Sequence, residues 1–168
     1  MAVKGARLTE AEWHRKMAVD LFNGVWRVLD KPRRTQAEED WIVHAAHASR
    51  HHWGAVGTPV NVAVGEWQVS HVYAVLGRAE PATHHARRCL ALCRRNGVKG
   101  YALAFAYEAL ARADAVSGRA RDLRRHLAQG YRAGLRIAAK EDRDEFFRQL
   151  ATVARSRPPR RGRAGPRG

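Results

Sequence analysis

Laying Gly77 on Gly118 aligns the middle of the chain with itself at an offset of 41 residues. A repeat of this length is one supersecondary unit that cannot bury its apolar face alone, so successive copies must stack. Small residues recur around both glycines, at Ala82 and Cys89 in the first copy and at Ala111 and Gly130 in the second. They let neighbouring helices approach, while larger side chains fill the gaps.

Helical signals extend this unit over most of the chain. Thr9 with Glu12, and Thr35 with Glu38, form capping boxes that start two helices. After the first, Trp13, Met17, Leu21, Val25 and Val28 fall on one face, and the helix runs to about Leu29, where Lys31 and Pro32 break it. The second helix carries Trp41, Ala45 and Ala48 and ends near Gly54 and Gly57. Thr58 and Pro59 supply the N-cap and first position of a third. That helix has almost no polar sector, which predicts a central, buried element ending at Gly77. A fourth runs from about Pro81 to Asn96 with Gly97 as a left-handed cap, and a fifth from Tyr101 to Val116 stops at Gly118. A sixth carries Leu123, Leu127, Tyr131 and Leu135, and a seventh carries Phe146, Leu150 and Val153 behind Glu141 and Asp142. The expected fold is all-α with about seven helices in antiparallel pairs. Residues 8–154 read as one domain, and 155–168, rich in Arg, Pro and Gly without an apolar anchor, as a disordered tail.

Ser70, Tyr73, Gly77, Ala82, Cys89 and Leu90 fall where the tetratricopeptide pattern places a small residue, an aromatic, the turn glycine, alanine, a small residue and leucine. Tyr107, Leu110, Ala111, Gly118, Leu123, Leu127 and Gly130 follow it less closely, and Leu123 and Asp114 depart from it. The stretch from Trp67 to Tyr131 therefore resembles the tetratricopeptide-repeat superfamily, with an offset longer than its usual repeat of about 34 residues. The whole chain also resembles a group of actinobacterial helical proteins through blocks such as HAAHASRHHW, GTPVN and EWQVSHVYAVLGRAEP; no activity follows from that likeness. The superfamily implies a short right-handed solenoid that binds a protein or peptide on the concave surface lined by the first helix of each pair. On that basis Trp67, Ser70, His71, Tyr101 and Glu108 are the candidate groove residues, and no catalytic residue is expected.

Charge and cysteine content bound the partners. The formal net charge is +15, and six arginines of the tail account for only part of it, so the body is basic in its own right. Such a balance favours acidic partners, nucleic acid among them. Two cysteines one helical turn apart cannot frame a small fold with disulfides, which suits a reducing, cytoplasmic setting. No stretch approaches the about 18 apolar residues of a membrane span, so no membrane partner is expected.

Three constellations could carry chemistry. His44, His47 and His51 form one helical stripe, and His47 with His51 has the spacing by which two imidazoles share zinc or a similar transition metal. Glu66 is the natural fourth ligand, because an unpaired carboxylate on an apolar stripe is costly. The alternative is packing beside Trp41 and Trp53, with hydrogen bonds to Glu66 or Tyr73. A second stripe, His85, Cys89 and Cys93, suits zinc by residue type, although a small buried thiol also serves simply as core. The third is a basic surface on the second helices of the pairs: Arg87, Arg88, Arg94 and Arg95 on one, and Arg121, Arg124 and Arg125 on the other. It would bind phosphates without reading sequence, aided by the tail, or else form a solvated face.

The readings that follow are thus a non-enzymatic scaffold for a protein or peptide, a metal-binding bundle, and a nucleic-acid-associated protein.

Overall fold

The computed structural model describes residues 7–153, so the proposed tail at 155–168 lies outside the described residues. Among the described residues there are seven helices and no strand: α1 (Glu10–Leu29), α2 (Gln36–Val56), α3 (Pro59–Val75), α4 (Ala79–Arg95), α5 (Gly100–Ser117), α6 (Ala120–Gly134) and α7 (Lys140–Val153). None is long and apolar enough to cross a membrane.

Local chemistry sets the boundaries. Thr9 and Thr35 close the expected capping boxes with Glu12 and Glu38, and Thr58 closes a third with Asn61 ahead of Pro59. The turns after α3, α4 and α5 are built alike. Gly77, Gly97 and Gly118 adopt φ of 71°, 62° and 73°, and the residue after each returns its N–H five residues back, Arg78 to Tyr73, Val98 to Cys93 and Arg119 to Asp114. This paired closure caps the last carbonyls of a helix with a left-handed glycine and turns the chain sharply.

Sharp turns make hairpins. α1 packs on α2, α3 on α4 and α5 on α6, and each hairpin stacks on the next through α2 against α3 and α4 against α5. The first helices also meet, α1 with α3, α3 with α5 and α5 with α7. α3 and α5 therefore sit in the middle, and ten residues of α3 and thirteen of α5 are buried, as the absence of a polar sector on α3 requires. The main core joins Trp67, Phe105, Leu110, Phe146 and Leu150 around the small residues Ala86, Cys89, Ala106 and Ala111. A second, of Val25, Ile42, Ala45, Val69 and Val72, seats α1 and α2 on α3.

Close approach depends on the small side chains. Ala82, Cys89, Ala111 and Gly130 are all buried. At Gly134 a Cβ would lie 2.3 Å from the ring of Phe146, so α7 reaches α6 only because that side chain is missing. Two aromatic residues behave otherwise than their stripes suggest. Trp13 and Trp41 keep 46% and 43% of their surface exposed, because they sit on the first hairpin, on the side that no other described helix covers.

Candidate functional site

Three buried carboxylates tie the hairpins together. Glu66 on α3 accepts from Arg50 Nε of α2 at 2.9 Å and from His85 Nδ1 and Arg88 Nε of α4 at 2.7 and 3.1 Å. Burial alone would raise its pKa, but the hydrogen bonds from His85 and Arg88 and the charge of Arg50 bring it down to about 2. Glu108 on α5 accepts from Trp67 Nε1 of α3 at 2.8 Å and from Arg112 at 2.7 Å; Arg112 also reaches the carbonyl of Gln149 and the hydroxyl of Thr152 on α7. Asp114 on α5 accepts from Arg119 at 2.9 Å and from His126 of α6 at 2.6 Å.

The repeat is visible in these ties. Trp67 and Glu108 stand one repeat apart and bond to each other, and His85 and His126 are likewise one repeat apart and each donates to a buried carboxylate. The carboxylate itself has moved. In the earlier copy it is Glu66, with Tyr73 stacked at 5.9 Å on His85, and in the later copy Asp114 occupies the position equivalent to Tyr73. Asp114, a departure from the repeat pattern, is thus the acceptor that its copy needs.

The proposed ligand set His44, His47, His51 and Glu66 is not brought to one point. Both oxygens of Glu66 are taken by Arg50, His85 and Arg88, and His47 turns to the Tyr73 hydroxyl at 3.0 Å. His44 is exposed, and His51 faces His14 and His52. Among the described residues, no three His, Cys, Asp or Glu side chains form a group suited to a metal ion. Glu66 needs neutralising, as its apolar stripe implies, and two guanidinium groups do so while an imidazole donates a further hydrogen bond. Nothing in the residue pattern ranks Arg50 and Arg88 above His47, since helix phase between separate helices is fixed only by packing.

α1 adds a histidine that the stripe could not reveal. His14 Nδ1 lies 2.8 Å from His52 Nδ1, beside the ring of Trp13. Burial, with His14 and His51 nearby, lowers the pKa of His52, and burial, with His85 nearby, lowers that of His47. In the second stripe His85 turns away to Glu66. Cys89 and Cys93 are free and buried; the hydrogen bond with Cys93, with burial, raises the Cys89 thiol well above its ordinary value.

The side on which α1, α3, α5 and α7 meet holds a cleft of about 590 Å³. Its walls come from the first helix of every hairpin and from α7: Phe22, Trp26 and Asp30; Val64 and Trp67; Tyr101 and Phe105; Asp142, Glu145 and Gln149. A smaller hollow of about 160 Å³ continues it past Phe22, Val64 and Tyr101 toward Trp53 and Asn61. Of the five candidate groove residues, Trp67 and Tyr101 line this cleft. The other three do not. Ser70 is buried and donates to the Ala82 carbonyl between α3 and α4. Glu108 lies behind Trp67, fixing its indole. His71 is buried against the rings of Trp26 and Trp67, and burial beside Arg112 holds its pKa well below 6.5. Ser70 and Glu108 face neighbouring helices because a first helix shows only a narrow strip to this cleft. The lining residues of α1 had a signal in sequence, since Phe22, Trp26 and Asp30 repeat every four residues beside the stripe of Val25 and Leu21.

The basic residues lie on the second helices. Arg87, Arg94 and Arg95 of α4 and Arg121, Arg124 and Arg125 of α6 are exposed, whereas Arg88 is half withdrawn onto Glu66 and Arg125 pairs with Asp122 at 3.0 Å.

Against this geometry, no family model, no curated protein and no solved structure matches the chain.

Proposed function

We propose that this protein is a non-enzymatic scaffold of tetratricopeptide type that binds a cationic, partly apolar segment of another protein in the cleft between α1, α3, α5 and α7. The observation that carries the reading is the lining. Five aromatic side chains, Phe22, Trp26, Trp67, Tyr101 and Phe105, meet three carboxylates, Asp30, Asp142 and Glu145, on the surface of a chain whose net charge is +15. Among the described residues no cation pairs with Asp30 or Asp142. Aromatic faces accept guanidinium and ammonium groups as well as apolar ones, and carboxylates at the rim steer and select for positive charge. Trp67 is held rigidly by Glu108, and a preordered anchor keeps the entropy cost of binding low.

The test is an array of 12-residue peptides of varied Lys, Arg and aliphatic content, probed with the labelled full chain and with the variant Asp142→Lys/Glu145→Lys. Peptides combining cations with apolar residues should be retained by the natural chain and bound at least about tenfold more weakly by the variant, the effect of two rim charges reversed. Equal retention by both chains, or preference for acidic peptides, would remove the reading.

A further inference from the structure

The opposite side of the molecule carries a second, chemically inverse feature. α4 and α6 form two walls with α5 as floor, and the valley between them contains three cavities that run into one another. The first, about 600 Å³, is flanked by Arg87, Arg88 and Arg119. It shares Thr83, Arg87 and Arg119 with the second, about 390 Å³, which Arg94 and Arg125 also border. Tyr107 and Gln129 then lead into the third, about 600 Å³, edged by Lys99, Arg132 and Arg136.

Charge in this valley is sorted. Of the three acids that line it, Asp114 meets Arg119 and His126 and Asp122 meets Arg125, while Glu80 stands exposed in the lining of the first cavity. Among the described residues no carboxylate pairs with Arg87, Arg94, Arg132 or Arg136. Arg87 and Arg94 on one wall, and Arg125 and Arg132 on the other, are each seven residues apart, so each wall repeats a cation about every two helical turns. A polar acceptor is also left open at the constriction, where the buried Oε1 of Gln129 has no hydrogen-bond partner.

From the continuity of the three cavities and this regular series of cations, we infer that the α4–α6 valley is a track for the phosphodiester backbone of a single-stranded nucleic acid. A backbone with one charge per nucleotide presents a phosphate to each cation along the valley, whereas the acids of a peptide are irregular. The floor is a single helix, about 10–12 Å across with its side chains, which admits one strand and leaves a duplex on the rim. Tyr107 offers a ring on that floor, and a ribose hydroxyl or base amine at the constriction would donate to Gln129. This site is separate from the aromatic cleft and does not depend on it.

The test is fluorescence anisotropy of a labelled 15-nucleotide uridine strand with the full chain, across a series of NaCl concentrations. For a single strand each lost phosphate contact makes the slope of log K against log salt shallower by about 0.7, so Arg87→Gln/Arg94→Gln should flatten it by about 1.4. Arg132→Gln/Arg136→Gln should flatten it similarly, whereas Arg15→Gln/Arg27→Gln on exposed α1 positions should not. Circular dichroism of all three should match the natural chain, because the substituted residues are exposed. Three results would overturn the inference: a slope unchanged in both valley variants, a loss as large from the α1 pair, or a duplex of the same length bound as tightly as the strand. Displacement of the strand by polyglutamate at equal charge concentration would reassign the valley to an acidic protein segment.

Discussion

Glu66 and Glu108 hold the same kind of position, a buried carboxylate on the first helix of a hairpin, yet they are neutralised in different ways. Glu66 meets two guanidinium groups and an imidazole whose side chains still reach solvent, with exposures of 23%, 50% and 16% for Arg50, Arg88 and His85. Glu108 and Arg112 are both interior, at 0% and 6%, and the guanidinium is spent on α7 as well. The first tie can come apart into water, and the second cannot. A buried ion pair is costly mainly when one member is removed and the other stays behind, so depth rather than the number of partners should decide the effect of mutation.

Glu108→Gln sets the largest effect. It strands the charge of Arg112 inside and loosens both Trp67 and α7, so chemical denaturation should report a loss of about 3–5 kcal/mol. Acid titration comes next and tests Glu66. Its folded pKa of about 2 lies below the ordinary value of about 4.5, so the folded state binds its proton less readily. The stability it gives is complete above about pH 4.5 and is lost as pH falls toward 2, amounting to on the order of 3 kcal/mol. Denaturation midpoints followed from pH 6 to pH 2 should therefore fall more steeply below 4.5 in the natural chain than in Glu66→Gln.

At neutral pH that same substitution should cost less than its counterpart at Glu108, about 2 kcal/mol, because the released arginines can hydrate. A loss equal to that of Glu108→Gln would break the comparison. Trp67→Phe removes one hydrogen bond but leaves Arg112 on the carboxylate, and about 1–2 kcal/mol is expected. The smallest effect belongs to His71→Phe. The buried Nδ1 of His71 has no hydrogen-bond partner, so stability at neutral pH should change by less than about 1 kcal/mol. Because its depressed pKa places its contribution above about pH 6.5, the variant should lose less stability than the natural chain as pH falls below that value.

Much of the fold was legible because it is written locally. The capping threonines, Pro59 and the glycines at 77, 97 and 118 act on the few residues around them, and their helix ends fall within two residues of where those signals place them. The buried small residues were legible for a related reason, since the repeat places them in register. Partner choice was not. The side chains that α2 and α4 can present to α3 admit a histidine shell around Glu66 or a guanidinium clasp, and the rotation of each helix decides between them.

The sequence by itself determined seven helices, their ends, the repeat of 41 residues, and a carboxylate at 66 that had to be neutralised. Only the tertiary structure decided which cations answer Glu66, that Ser70 and Glu108 face inward while Trp26 and Asp142 face the cleft, and that arginines on separate helices line one valley. The physical reason is range. Turns and caps are fixed by neighbours in the chain, whereas the lining of a cleft is fixed by how far each helix rotates when close-packed side chains interlock.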